Sequence, residues 1–207
     1  MRPAEPLPLL AIGASPRRGG NTDVMLKWIA EGATAAGQPM AVVQLRDVVV
    51  RPCIGCERCR RDKRCTGHGD GMQLLYPLIE AARGLVLASP THSYNVTAWM
   101  KAFIDRLYCY YDFSDHRPRR WSSRLGGQGR RALVCTVAEQ PEIDDIGFTL
   151  EAMAKPLTSL GYRVMDQLAA QPFFDLGSVR QDPLLAERLR AAGALLARAV
   201  TDDTQDV

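Results

Sequence analysis

Five short apolar runs, at residues 7–13, 41–45, 84–88, 132–137 and 162–165, alternate with segments whose apolar side chains recur at helical spacing. Those segments fall at 22–36, 72–82, 97–108, 146–160 and 183–200. The alternation leaves little choice of architecture. A strand that returns parallel to its neighbour needs a long crossover, and a helix is the usual one. Repeated, the unit gives a parallel sheet with helices on both faces, so the chain is predicted to be an α/β protein with five parallel strands. In the first helical segment Met25, Ile29, Gly32 and Ala36 share a face, and Gly37 ends it.

A length of 207 residues suits one domain, with a Cys-rich insertion at about 51–70 and an Arg-rich loop at about 114–131. The net charge of +3 is too small to argue for nucleic acid or an anionic membrane. No apolar run approaches the roughly 18 residues that span a bilayer. The run from Leu7 to Ala14 is broken by Pro8 and leads into a polar loop, so no secretory leader is expected and the cytoplasm is the expected location.

The first run ends at Gly13, and Ala14-Ser15-Pro16-Arg17-Arg18-Gly19-Gly20-Asn21-Thr22 joins it to the first helix. A helix N-terminus offers unpaired amides and a partial positive charge, which together suit an anion. Ser15 and Thr22 add hydroxyls, Arg17 adds charge, and Gly19 and Gly20 allow close backbone approach. The loop lacks both the Gly-Lys-Ser/Thr ending of a P-loop and the Gly-x-Gly-x-x-Gly of a dinucleotide fold. The plainer alternative is a polar turn with a helix cap at Asn21 or Thr22.

Cys53, Cys56, Cys59 and Cys65 crowd into one stretch, spaced C-x2-C-x2-C-x5-C. Such crowding in a cytoplasmic chain points to metal or redox chemistry before disulfides. Short gaps suit the corner of a [4Fe–4S] cubane, whereas zinc more often takes two separated pairs. Zinc and free thiols remain as alternatives. Cys109 and Cys135 sit in apolar runs and read as small buried hydrophobes. Arg117, Arg119, Arg120, Arg124, Arg130 and Arg131 read as a solvated run, with phosphate contact as the alternative.

Gly13-Ala14-Ser15-Pro16-Arg17 with Gly20-Asn21-Thr22 resembles the phosphate loop of the NADPH-dependent FMN reductase family. Residues 89–98, Ser-Pro-Thr-His-Ser-Tyr-Asn-Val-Thr-Ala, with Lys101 to Arg106, resemble that family's flavin-ring loop and the helix after it. The Cys cluster resembles the family's iron–sulfur flavoprotein branch. The match is close over the first half of the chain, and in the second half only the order of elements agrees. Two departures stand out. His92 replaces the usual Tyr, and only Asp70 of an acidic pair precedes Met72.

The resemblance implies a flavodoxin-like fold that holds FMN without a covalent bond, in a homodimer or homotetramer. Ser15, Arg17, Asn21 and Thr22 would hold the phosphate. Pro90, Thr91, His92, Ser93, Tyr94 and Asn95 would line the ring, and Thr136, Val137, Ala138 and Glu139 would form a third flavin loop. Two functions are expected to compete. One is an oxidoreductase passing electrons from NAD(P)H through FMN to a small-molecule acceptor such as a quinone or free flavin. The other is an electron carrier that couples FMN to a [4Fe–4S] cluster and draws on a ferredoxin-like donor. A nucleic-acid or membrane partner is not expected, and no acid–base residue is singled out.

Overall fold

In a computed structural model, which describes residues 8–202, the chain runs β1 (Leu9–Gly13), α1 (Asn21–Ala35), β2 (Met40–Gln44), α2 (Arg58–Asp62), α3 (Met72–Ala81), β3 (Gly84–Pro90) and α4 (Ala98–Arg106). It continues through β4 (Tyr111–Phe113), β5 (Trp121–Ser123), β6 (Arg131–Val137), α5 (Thr149–Ser159), β7 (Arg163–Ala170) and α6 (Pro183–Asp202). Leu7 of the expected first strand, the rest of the N-terminal segment read as no leader, and residues 203–207 lie outside the described residues.

β2, β1, β3, β6 and β7 form one sheet in that order, and every pair is parallel. Alternate side chains of each central strand serve opposite layers. Leu9 and Ala11 of β1 pack under α1 and α6, whereas Leu10 and Ile12 pack with α3, α4 and α5. β3 divides likewise, Val86 and Ala88 against Leu85 and Leu87. Burial on both sides explains why these strands read as unbroken apolar runs. Each Leu or Ile so buried contributes about 1.5–3 kcal/mol.

α1 and α6 touch backbone to backbone. A Cβ on Gly32 would stand 1.9 Å from the Arg190 carbonyl oxygen, and one on Gly193 2.0 Å from that of Ile29. The chain steps outward from β1 to β2, then back across β1 to β3. Loops leaving β1 and β3 therefore diverge, which opens a crevice at the C-terminal ends of the strands.

Several local expectations change. The helix expected to 108 ends at Arg106 and tightens into a 3-10 turn at Leu107–Tyr110. The last strand, read only to Met165, continues to Ala170, because an edge strand tolerates the exposed Asp166 and Gln167 that end the apolar run. The Arg-rich segment is not simply solvated. Within it β5 pairs antiparallel with β4, the strand just before it, and Arg130 near its end is 5% exposed. Arg130 donates to the carbonyls of Ile79, Glu80 and Ala82 and to the Tyr162 hydroxyl. Its guanidinium thus satisfies the carbonyls that α3 leaves open at its C-terminus.

Candidate functional site

No side chain caps α1. Gly20 occupies the cap position with extended backbone, so the alternative, a cap at Asn21 or Thr22, is not formed. The first helical bond runs from the Val24 amide to the Gly20 carbonyl, 3.1 Å, which leaves the amides of Asn21, Thr22 and Asp23 without helical acceptors. Asp23, the acid in this turn, is already neutralised. Its oxygens accept from Arg46 at 2.9 and 2.8 Å, and one accepts the Gly19 amide at 2.8 Å. The helix end therefore keeps its positive character. Thr22 is 2% exposed, and its hydroxyl has no hydrogen-bond partner. A buried unpaired hydroxyl is costly, and a ligand at this point would relieve it.

Ser15, Arg17, Asn21, Thr22, Pro90, Thr91, His92, Val137, Ala138 and Glu139 line one cavity of about 170 Å3 at the ends of β1, β3 and β6. Thr136 lies beneath it, its hydroxyl 3.1 Å from that of Thr91, which also accepts from Thr149 at 3.2 Å. Ser93, Tyr94 and Asn95 lie beyond the rim in a tight turn. Its backbone closes between His92 and Asn95 at 2.8 and 3.1 Å, with Ser93 and Tyr94 at φ +49° and +62°. The turn is tied to the first loop through Thr97, which donates to the Ala14 carbonyl at 3.0 Å and accepts the Met100 amide as the cap of α4.

Sequence reading missed one wall. Phe173, Phe174 and Leu176, after β7, also line the cavity. Asn21 holds this segment, donating to the Asp175 carbonyl at 3.1 Å and accepting the Val179 amide at 3.2 Å. Its side chain is thereby committed, and what it presents to a ligand is its amide. Arg17 lies over the Phe174 ring at 4.7 Å and donates to that residue's carbonyl at 2.9 Å.

Gly147 supports the 92–95 turn from the β6–α5 loop. Its φ of +53° favours glycine, and a Cβ there would stand 2.4 Å from the Tyr94 carbonyl oxygen. Gly147→Ala is expected to cost about 1–3 kcal/mol and to raise amide exchange across 92–95, as read by urea unfolding and hydrogen exchange.

Cys53, Cys56, Cys59 and Cys65 line a second cavity of about 350 Å3, with His68, Arg106 and Tyr108. All four thus come to one face of the loop region. Among the described residues no three His, Cys, Asp or Glu side chains group as for a single metal ion. Partial burial pushes the Cys59 thiol up, and the charges of Cys65, Cys53 and Cys56 add to the effect. Cys109 and Cys135 are buried, which pushes both thiols up to about 12 and leaves them protonated and inert.

Both ends of the Cys-bearing loop meet at one buried ion pair. Arg106 donates to Asp70 at 2.7 and 3.0 Å and to the Arg51 carbonyl at 2.9 Å, while Asp70 accepts the amides of Arg51 and Met72. The two side chains are 1% and 3% exposed. Burial opposes ionisation of Asp70, but the Arg106 hydrogen bonds, the two amides and the guanidinium charge outweigh it. Its carboxyl titrates below the usual carboxylate range. Arg106 also keeps a buried Nε with no acceptor.

Residues 7–135 match the model of the NADPH-dependent FMN reductase family. The chain is 35% identical over 133 residues to an iron-sulfur flavoprotein of Archaeoglobus fulgidus, covering 64% of this chain and 56% of that protein. It is 32% identical over 98 residues to an iron-sulfur flavoprotein of Methanosarcina thermophila, covering 47% and 51%. The chain thus spans about half the length of the curated relatives it matches. Among solved structures, a flavone reductase superposes with a TM-score of 0.69 at 16% identity, covering 96% of this chain and 65% of that one. An FMN-dependent NADH-azoreductase from Bacillus anthracis gives 0.64 at 17% identity, covering 91% and 99%. A flavodoxin from the Archaea gives 0.54 at 14%, covering 93% and 99%. At such identities the structures speak for the flavodoxin-like fold alone.

Proposed function

The chain belongs to the NADPH-dependent FMN reductase family, and from that premise we propose that it is an FMN-dependent oxidoreductase taking electrons from NAD(P)H and delivering them to a small acceptor such as a quinone or free flavin. The observation that carries this reading is the uncapped head of α1, with three open amides beside the orphaned Thr22 hydroxyl. A phosphate monoester satisfies all of them at once.

The amides of Asn21 to Asp23 and the hydroxyls of Ser15 and Thr22 would hold the phosphate. Arg17 would turn from Phe174 to add its charge, and Phe173, Phe174 and Leu176 would keep water from the sugar chain. The enclosed space is small for a whole ligand, against the roughly 300–1,000 Å3 usual for such sites. The flat ring would therefore lie across the open side, towards His92 and the turn at Ser93, Tyr94 and Asn95. Bound FMN would supply the redox chemistry, and the chain supplies position and electrostatics.

The exposed side chains of Tyr94 and Phe148, whose backbones are hydrogen-bonded beside that rim, support a homodimer or homotetramer. Six unpaired cysteines among the described residues support a reducing, cytoplasmic location. No described helix is long and apolar enough to cross a membrane.

A second reading rests on the four-thiol cavity. There Cys53, Cys56, Cys59 and Cys65 would ligate a [4Fe–4S] cluster, and the protein would carry single electrons from a ferredoxin-like donor to FMN. The cluster would supply one-electron transfer, while Arg106 and the surrounding arginines would offset its negative charge. Anaerobic purification followed by rapid mixing with NADPH separates the two. Flavin bands that bleach quickly support the oxidoreductase. Flavin bands on a broad cluster shoulder, bleached by a reduced ferredoxin and not by NADPH, support the carrier.

A further inference from the structure

We propose that the β4–β5 hairpin is a clasp that holds the four-thiol loop in its ligand-bearing shape before any metal arrives, with Arg119 and Arg124 as its positioning residues. The inference rests on the reading of that loop as a metal-cluster site.

The loop cannot hold its own shape. α2, which carries Cys59, has only five residues, too few for a helix to persist alone. It is bracketed by Glu57 and Lys63, both in left-handed backbone at φ +53° and +56°. Side chains rarely adopt that conformation, and it persists only where surroundings over-determine it.

The hairpin meets each of these weak points. At one bracket, Glu57 pairs with Arg60 of α2 at 3.2 Å and with Arg119 of the hairpin at 3.7 Å. At the other, the Lys63 ammonium pairs with Asp112 of β4. Arg124, just past β5, donates to the Lys63 carbonyl at 2.5 Å and to the Cys109 carbonyl at 2.7 Å, and it lies over the Tyr110 ring. Arg60 of α2 lies over Phe113 of β4, which stacks on Tyr108 at 5.0 Å, and Tyr108 lines the thiol cavity. One exposed ion pair contributes little, but these share partners and close on both sides of Cys59.

The arginine run thus divides by role. Arg119 and Arg124 are fastened to the thiol loop or its carbonyls, while Arg117 and Arg120 of the same hairpin are exposed. That division sets the control. The variant Arg119→Ala/Arg124→Ala and the variant Arg117→Ala/Arg120→Ala remove the same charge from the same hairpin. Full-length protein is reconstituted with iron and sulfide without oxygen, and iron loss to a ferrous chelator is timed. The metal-free forms are compared by hydrogen exchange over 51–69.

Loss of the two fastened arginines is expected to speed iron release by about tenfold to a hundredfold, the usual effect of removing partners that orient ligands. It is also expected to raise exchange across 51–69, and Arg119→Lys alone should restore much of the protection because it can still pair with Glu57. Should Arg119→Ala/Arg124→Ala fail to fold, Arg119→Ala alone carries the same comparison. Equal iron loss in both double variants would make the effect one of charge and overturn the clasp. So would unchanged exchange and release in the fastened pair. If the unaltered protein takes up no iron, the cluster reading fails, and the exchange comparison still decides the clasp.

Discussion

Replacing Arg106 by alanine is expected to cost about 3–5 kcal/mol of folding stability, the usual result of stripping one partner from a buried ion pair. The loss is large because Asp70 would lose its counter-charge in a site 3% exposed, and because the Arg51 carbonyl would lose its donor as well. Both ends of the thiol loop hang on this one guanidinium, so the loop should loosen along with the fold. Arg106→Lys should recover little, since an ammonium cannot serve two carboxylate oxygens and a carbonyl in one plane. Removing both charges, with Arg106→Met and Asp70→Leu together, should cost much less than either single change. Urea unfolding of the unaltered protein, Arg106→Ala, Arg106→Lys, the double variant and its two single changes checks the set. A small loss for Arg106→Ala would mean that the pair is solvated in practice.

The same pair sets a pH dependence. Asp70 titrates below its unfolded value, so its contribution is fully present above the unfolded carboxylate pKa of about 3.9 and is lost as pH falls through the lower folded value. Unfolding free energy of the unaltered protein should therefore fall steeply below pH about 4. Asp70→Asn should be less stable at neutral pH and lack that component of the acid slope.

Thr22→Asp is expected to weaken FMN binding by about a hundredfold or more while leaving the protein folded. An acid in the first turn suits a helix N-terminus, so the carboxylate can take the open amides itself. It then repels a phosphate from the same place, and like charges in contact cost several kcal/mol. Thr22→Val makes the complementary case. The hydroxyl it removes is buried and without a partner, so stability should hold or rise slightly. Affinity should still fall about tenfold, because a hydrogen bond to a charged group contributes about 1.5–3 kcal/mol. If Thr22 served the fold alone, both variants would shift the unfolding midpoint and leave FMN uptake unchanged.

The sheet was legible because its central strands are buried on both faces and so appear as apolar runs. β7 was legible only in part, since a sheet edge accepts polar residues that a run-based reading treats as an end. The loop proposed to hold phosphate stood out because its residues are contiguous and its chemistry is local. Phe173, Phe174 and Leu176 did not. They lie more than 150 residues from the first loop, and nothing in their own segment signals a ligand. Asn21 was visible as a polar residue at the right place, but its side chain is spent on that distant segment. The arginine run misled for a related reason. Arg117 and Arg130 look alike in sequence, and only tertiary contact separates an exposed one from one buried against the end of a helix.

The most direct measurement is a titration of FMN against flavin-free protein, followed by quenching of flavin fluorescence. An anion site at the head of α1 predicts saturable quenching at one FMN for each chain, and much weaker uptake of riboflavin, which has the ring but no phosphate. Fluorescence that stays unchanged on adding protein would contradict the account, as would riboflavin bound as tightly as FMN.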